Sequence, residues 1–204
     1  MNHAAAIAEV HAAMDRLEPE PEHTRHVAML AVRLFDESKK WHGLGPDERV
    51  ILEGASCLHD VGWPVSRKGA AHHKHSARLI RAQTWAQFNA VEVEMLALVA
   101  RYHRKSHPSP DHEDYERLSR TRRKKVSWLA SLLRLADAFD RSHLQHVQDL
   151  SLSPREHSLE VTLVSRLPPE REIAAAGRKG KLAEEMFECE LTYRYRPLAP
   201  LRPV

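Results

Sequence analysis

The segment Leu58–Gly62 constrains the fold of this 204-residue chain most, because it places an imidazole beside a carboxylate at the end of an apolar helical run. Apolar residues lead into His59 and Asp60 at helical spacing, and Gly62 and Pro64 predict that the helix ends just beyond them. Neutral imidazole and ionised carboxylate are both good ligands for divalent transition metals. A helix unwinds at its end, so adjacent residues there can converge on one ion. Alone, such a pair is a weak signal, because it is common by chance.

Four further polar residues lie within or at the edge of other apolar periodic segments: His26, His75, His103 and Asp137. Burying an unpaired polar side chain in such a segment costs free energy. A shared metal ion would remove that cost for all of them together. His23 lies three residues before His26 and can share its helix face.

Each candidate, taken singly, has a structural explanation that needs no metal. His26 is compatible with a partly buried helix histidine, and His75 with a histidine-rich exposed loop. Asp137 is placed to pair with an arginine on an adjacent turn. His59 is compatible with a histidine near the negative end of the helix dipole, with Asp60 capping the next turn. Only the joint pattern favours a metal site over these explanations.

The composition predicts one helical domain of ordinary size. Hydrophobic residues make up 42% of the chain, enough for a core, and the aromatic fraction of 6% suits helices more than sheets. Cys57 and Cys189 are far apart, so free thiols are expected rather than a disulfide. The N-terminal residues do not have the pattern of a signal peptide, and no apolar run approaches the ~18 residues of a membrane span. We therefore expect a cytoplasmic protein with no membrane contact.

Apolar residues recur at helical spacing up to about residue 145, and the periodicity then changes. Apolar and polar residues alternate in Val147–Leu152, Leu159–Val164 and Glu188–Tyr195, with a helical pattern in Arg178–Phe187. The polar stretch from Ser106 to about Arg120 is expected to be exposed and mobile. The sequence thus predicts a mainly α fold: a helical bundle over residues 1–145 and a small β-β-α-β appendage over residues 146–204 that packs on it.

The order His26, His59-Asp60 and Asp137 on separate helices resembles the pattern that names the HD superfamily of metal-dependent phosphohydrolases. Cys57–Gly62 is similar to the family's signature, and Leu135–Asp140 is similar to its closing helix. The resemblance implies an HD-domain helical bundle with His26, His59, Asp60 and Asp137 as metal ligands. His75 and His103 fall where members with a second metal carry further histidines.

A narrower resemblance covers about residues 20 to 195. Gly69–Ala77, Ala100–Lys105, Leu133–Asp137 and Asp140–His143 are similar to the C-terminal region of exopolyphosphatase/guanosine pentaphosphatase proteins. Those proteins hold their active site in an N-terminal phosphatase region with an actin-like ATPase fold. About 20 residues precede the helical part here, too few for a domain. We therefore expect this chain to share the HD module with those proteins, but not their exopolyphosphatase activity.

The resemblance implies one or two divalent ions per chain, with Mn, Mg, Fe, Zn and Ni all compatible. His59 and Asp60 would be central to catalysis, since a metal held by imidazoles and carboxylates activates water and polarises a phosphoryl oxygen. Negative charge on the phosphate would need nearby cations. The basic residues nearest the proposed ligands in sequence are Lys74, Arg78, Arg104, Lys105 and Arg141.

Two functions follow as alternatives. The first is a metal-dependent phosphohydrolase that acts on a nucleotide or another phosphate-rich small molecule such as polyphosphate. The second is a regulatory module that binds such a ligand without turnover, which the basic run Arg120–Lys125 would favour. Nucleic acid is not an expected partner, because no aromatic residues that could stack on bases are interleaved with those charges. A homodimer is a possible assembly.

Overall fold

The chain is mainly helical, with a small three-stranded sheet near the C-terminus, as the sequence predicts. The computed structural model describes residues 1–199, so the last residues of the predicted appendage, 200–204, lie outside the described part. The helices are α1 (His3–Leu17), α2 (Pro21–Glu37), α3 (Lys39–His42), α4 (Pro46–Leu58), α5 (His72–Ala82), α6 (Ala90–Arg101), α7 (Glu113–Glu116), α8 (Arg120–Phe139), α9 (Glu170–Lys179) and α10 (Lys181–Phe187). The strands are β1 (Val147–Pro154), β2 (Ser158–Ser165) and β3 (Glu190–Pro197).

The helical core forms around α2, α4 and α8. Helix α2 packs on α4 and α8, α1 covers α4, and α6 lies against both α4 and α8. Leu30, Leu52 and Leu129, one from each central helix, are fully buried. Burying a leucine side chain stabilises the fold by about 1.5–3 kcal/mol. Among residues 1–199, no helix combines the length and the apolar character needed to cross a bilayer.

Helix α4 has the ends that its sequence predicts. Pro46 occupies the first turn, and Glu48 Oε2 accepts a hydrogen bond of 2.8 Å from the Gly45 N–H. The helix ends at Leu58, so His59 and Asp60 lie in the turn that follows. This placement is the one expected from the breaks at Gly62 and Pro64.

Close backbone packing at Gly62 joins that turn to the start of α5. A Cβ at this position would lie 2.3 Å from the Ser76 amide nitrogen and 2.4 Å from the His72 carbonyl oxygen. The Gly62 N–H also donates a 2.9 Å hydrogen bond to Ser76 Oγ. Only glycine allows this approach, which brings the first turn of α5 beside Asp60.

The sheet has the order β1-β2-β3, with β1 antiparallel to β2 and β2 parallel to β3. A parallel pair needs a long crossover connection, and α9 and α10 provide it. Helix α9 packs on α8. The prediction of a single helix over Arg178–Phe187 is corrected: the helical segment begins at Glu170, and Gly180 separates its two helices.

The polar stretch after Ser106 is more ordered than predicted. It contains α7, and the side chains of Tyr115 and Leu118 are buried in the core. The Tyr115 hydroxyl donates a 3.1 Å hydrogen bond to the Arg123 carbonyl oxygen. This segment is therefore joined to α8 by hydrogen bonding, and its two buried side chains could not be recognised from its charged composition.

Candidate metal centre

Three buried side chains from three helices form a first triad. His23 lies on α2, His59 follows α4, and Asp137 lies in the last turns of α8. One ligand atom of each lies within 4.8 Å of the others. The Nε2 atom of His23 is 4.0 Å from Asp137 Oδ1. This arrangement resembles a coordination set for one ion.

A second triad of Asp60, His72 and His103 adjoins the first. Asp60 Oδ1 is 3.1 Å from His72 Nε2 and 3.5 Å from His103 Nε2. The other carboxylate oxygen, Oδ2, is 3.6 Å from the Nε2 atom of His59 in the first triad. The Asp60 carboxylate therefore lies between the two triads and can contribute to both.

Backbone and carboxylate oxygens fix the orientation of every imidazole in the two triads. The Nδ1 contacts are His23 to Asp140 Oδ2 at 2.8 Å, His59 to Ser56 O at 2.7 Å, His72 to Gly69 O at 3.1 Å and His103 to Ala100 O at 2.7 Å. An oxygen of this kind only accepts, so Nδ1 must carry the proton. The Nε2 lone pair of each ring is then free, which is the arrangement by which metal-ligating histidines are oriented.

Several of the inward-facing atoms lack hydrogen-bond partners. Within the described part of the chain, His23 Nε2, His59 Nε2 and Asp60 Oδ1 are buried without any. Leaving such atoms unpaired costs about 1–3 kcal/mol each. One divalent cation in each triad would satisfy these atoms, and imidazole nitrogen with carboxylate oxygen is a donor set suited to Mn, Fe, Ni or Zn. The residues present therefore fit a metal ion.

The electrostatics keep these groups in the forms that bind metals. Burial acts to raise the pKa of Asp60, but the neighbouring His59, His72 and His103 outweigh it and hold that pKa below its ordinary value. Burial, reinforced by His59, holds the pKa of His103 well below its ordinary value. An ionised carboxylate and a neutral imidazole are both ready to coordinate without first losing a proton.

A cavity of about 510 Å³ opens onto both triads. Four cationic side chains line it: Arg104, Arg141, Arg178 and Lys179. Glu18 and Glu20 line it as well, and burial raises the pKa of Glu18. The volume lies within the roughly 300–1,000 Å³ typical of small-molecule sites. The cavity therefore brings three guanidinium groups and one ammonium group close to the two ligand triads, together with the carboxyl groups of Glu18 and Glu20.

A comparison with protein families identifies the family of the chain. The family described as "Ppx/GppA phosphatase, domain III" matches residues 8–168. The chain belongs to this family. The matched span of the domain III chain contains both triads and ends just before α9, which supplies Arg178 and Lys179 to the cavity.

The sequence placed His26 among the ligands, and the structure places it outside both triads. His26 Nε2 contacts the Val147 carbonyl oxygen at 2.8 Å and joins α2 to β1. His23, one turn earlier, takes its place beside His59 and Asp137. The signal was available, because His23, Val27, Leu30 and Leu34 continue one buried stripe at helical spacing.

His75 likewise lies outside both triads. Its side chain is partly exposed, and its Nδ1 atom lies 3.2 Å from an Arg78 nitrogen. His72 occupies the second triad in its place. His72 precedes the buried Ser76 and Ile80 at intervals of four residues, and this spacing places it on the inner face of α5. The other four predicted ligands, His59, Asp60, His103 and Asp137, do come together.

The predicted phosphate contacts divide into two groups. Arg104 and Arg141 line the cavity. Lys74, Arg78 and Lys105 do not: Lys74 and Arg78 are exposed on α5, and Lys105 directs its carbonyl oxygen to Arg134 Nη2 at 3.2 Å. Arg178 and Lys179 were missed, because they reach the site through a crossover far along the chain.

Arg104 lies directly on the second triad. Its Nη1 atom is 3.0 Å from Nδ1 and 3.3 Å from Nε2 of His72. The near-equal distances place the guanidinium against the ring rather than in line with one lone pair. Nδ1 of His72 carries the proton directed to the Gly69 carbonyl oxygen, so it has no lone pair to accept a hydrogen bond from Arg104.

Proposed function

We propose that this domain III chain is a metal-dependent phosphohydrolase of the HD type, acting on a nucleotide or another phosphate-rich small molecule. One observation carries the proposal. Two ligand triads share the Asp60 carboxylate and face a cavity lined by four cations. Family membership supports a phosphate-rich ligand, since the family is described as a phosphatase.

The first triad would hold one divalent ion and the second triad another, with Asp60 between them. His23, His59, Asp137, His72 and His103 would supply the remaining ligands. A bound ion supplies Lewis acidity, which polarises a phosphoryl oxygen and activates water near neutral pH. The chain's own contribution is to fix the ligands: Asp140 orients His23, and main-chain carbonyl oxygens orient the other three imidazoles.

The cavity cations would bind and orient the phosphate groups. Arg104 and Arg141 present guanidinium groups, whose planar fork matches phosphate oxygens. Arg178 and Lys179 line the same cavity from α9. Charge placed where the phosphate becomes more negative would stabilise the transition state more than the bound substrate.

Metal analysis and a phosphatase panel test the proposal together. The purified chain is expected to contain a divalent transition metal and, with added Mn²⁺, to release phosphate from nucleotides or polyphosphate. Asp60→Asn should abolish phosphate release and lower the metal content, because the carboxylate that lies between the two triads becomes a neutral amide. His157→Asn is the matched control, since His157 is an exposed histidine whose side chain is 89% accessible. The proposal would be contradicted if the purified chain contained no metal and also released no phosphate after Mn²⁺ was added.

A second candidate function is binding of the same ligands without turnover. Lys179 favours it, because its ammonium already pairs with Asp137 in the first triad. In that case the cavity would hold a phosphorylated ligand through its cations alone. Tight binding to the metal-free chain, with no phosphate release after metal loading, would identify this function.

A further inference from the structure

A second, smaller cavity lies on the far side of Arg104. Its volume is about 130 Å³, and Arg104 lines both this cavity and the larger one. His72 and His73 are adjacent on the first turn of α5, yet they line different cavities: His72 lines the larger and His73 the smaller. The two spaces therefore share one wall, formed by Arg104 and the start of α5.

The smaller cavity is positively charged. Lys74, Arg101 and Arg104 line it, and no aspartate or glutamate among the described residues does. Arg101 is balanced by Asp114, whose Oδ2 atom lies 3.2 Å from Arg101 Nη1. Among residues 1–199, Lys74 and Arg104 form no ion pair with a carboxylate within 4.0 Å. Two cationic side chains are thus left without an anion.

A buried polar atom completes the lining. His73 is 8% exposed, and its Nδ1 atom has no hydrogen-bond partner in the described part of the chain. The neutral ring can carry its proton on Nδ1 and donate it to an oxygen. The Ser106 side chain adds a hydroxyl to the same lining. Two unbalanced cations with imidazole and hydroxyl donors form a set that suits a tetrahedral oxyanion.

We propose that the smaller cavity binds a phosphoryl group through Lys74, Arg104 and His73. Its volume is well above the ~10–15 Å³ that one water occupies, so a single phosphoryl group has room. Such a group comes either from free orthophosphate or from the distal end of a substrate whose reacting end lies at the triads. The second source rests on the proposed function, because it requires the substrate to extend past Arg104.

Binding of inorganic orthophosphate to the metal-free chain tests the site without any catalytic step. The imidazole ¹⁵N resonances of His73 report binding locally by NMR, and those of His23 report the larger cavity. Lys74→Ala should weaken binding measured at His73 about tenfold, as expected for loss of one charge-assisted hydrogen bond. Arg78→Ala is the matched control: it removes one exposed cation from the same helix, and Arg78 does not line the cavity.

Two results would overturn the site: His73 resonances that do not respond to orthophosphate, or equal affinities for Lys74→Ala and Arg78→Ala. Tripolyphosphate separates the two sources in the metal-loaded chain. If the site holds a distal phosphoryl group, tripolyphosphate binds more tightly than orthophosphate to the parent, and Lys74→Ala removes that advantage. If the advantage remains in Lys74→Ala, the site takes free phosphate. Failure to hydrolyse any substrate would contradict the proposed function and leave orthophosphate binding at His73 unaffected.

Discussion

The Lys179 ammonium of α9 donates a hydrogen bond to Asp137 Oδ2 of α8, within the triad that also contains His23 and His59. The pair is mostly buried, with side-chain exposures of 22% and 11%. Burial acts to raise the pKa of Asp137, but Lys179 and the nearby histidines hold that pKa below its ordinary value. Lys179 would therefore compete with a metal ion bound at the first triad for the same carboxylate.

Lys179→Met is expected to tighten divalent metal binding at the first triad. Removing a charge-assisted hydrogen bond of about 1.5–3 kcal/mol frees Asp137 for the ion, a change of roughly tenfold or more in affinity. Titration calorimetry with Mn²⁺ measures this directly. Arg178→Met is the control, since Arg178 lines the same cavity and forms no ion pair with Asp137. Equal or weaker metal affinity in Lys179→Met would contradict the competition.

The number of metal ions bound per chain shows whether His72 or His75 is a ligand of the second ion. His72→Ala should remove the ion held by the second triad, because it deletes one of three ligands. His75→Ala, three residues away on the same helix, should leave the stoichiometry unchanged. Elemental analysis of the two purified variants gives the numbers. Loss of metal in His75→Ala alone would restore the assignment made from sequence.

Gly62→Ala is expected to destabilise the chain by about 3 kcal/mol or more, since the added methyl group has no room between two backbone segments. Urea unfolding monitored by circular dichroism measures the free energy of unfolding. Gly177→Ala is the opposite case, because nothing lies within 4 Å of its Cβ position in α9. That substitution should stabilise the chain by about 0.5–1 kcal/mol. Similar effects at the two glycines would show that the packing at Gly62 is not as close as described.

The burial of His42 predicts that the chain loses stability in mild acid. The Leu44 N–H donates to His42 Nδ1 at 2.8 Å, and His42 Nε2 donates to the Phe35 carbonyl oxygen at 2.9 Å. Burial lowers the pKa of His42 below its ordinary value of 6.5, so the folded state binds fewer protons than the unfolded state below that pH. The free energy of unfolding should therefore fall as the pH drops below about 6.5.

Comparison of two variants isolates the contribution of His42. His42→Asn should reduce the pH dependence of the unfolding free energy between pH 7 and pH 5, because an amide does not titrate there and the other buried histidines, such as His103, keep their contributions. His157→Asn changes an exposed histidine and should keep the slope of the parent chain. Identical slopes in all three proteins would assign the pH dependence to other groups.

Much of the site could be predicted because its signals are local. His59 and Asp60 follow a helix whose end is predicted by Gly62 and Pro64. Asp137 lies in an apolar helix, where a lone carboxylate needs a partner. Periodicity fixes which face of a helix is buried. The positions of His23 and His72 follow from extending the buried stripes of α2 and α5 by one more turn.

The wall formed by α9 could not be predicted in this way. Arg178 and Lys179 reach the cavity because β3 pairs in parallel with β2, which requires a crossover over α8. Strand alternation predicts that β3 exists but does not give its direction relative to β2. The contacts of α9 with the cavity depend on that direction. From the sequence alone, the basic side chains of α9 could therefore be interpreted only as surface charges.

The parallel pairing of β2 with β3 also makes the attachment of α9 a late step of protein synthesis. All six triad residues lie between His23 and Asp137, so they leave the ribosome before Lys179 does. Helix α9 is held at both ends only after β3 has been made and has paired. A nascent chain can thus present its six ligands while the ammonium that competes for Asp137 is still inside the ribosomal tunnel or loosely attached. A metal ion that binds during translation would then meet less competition than one that binds the finished protein.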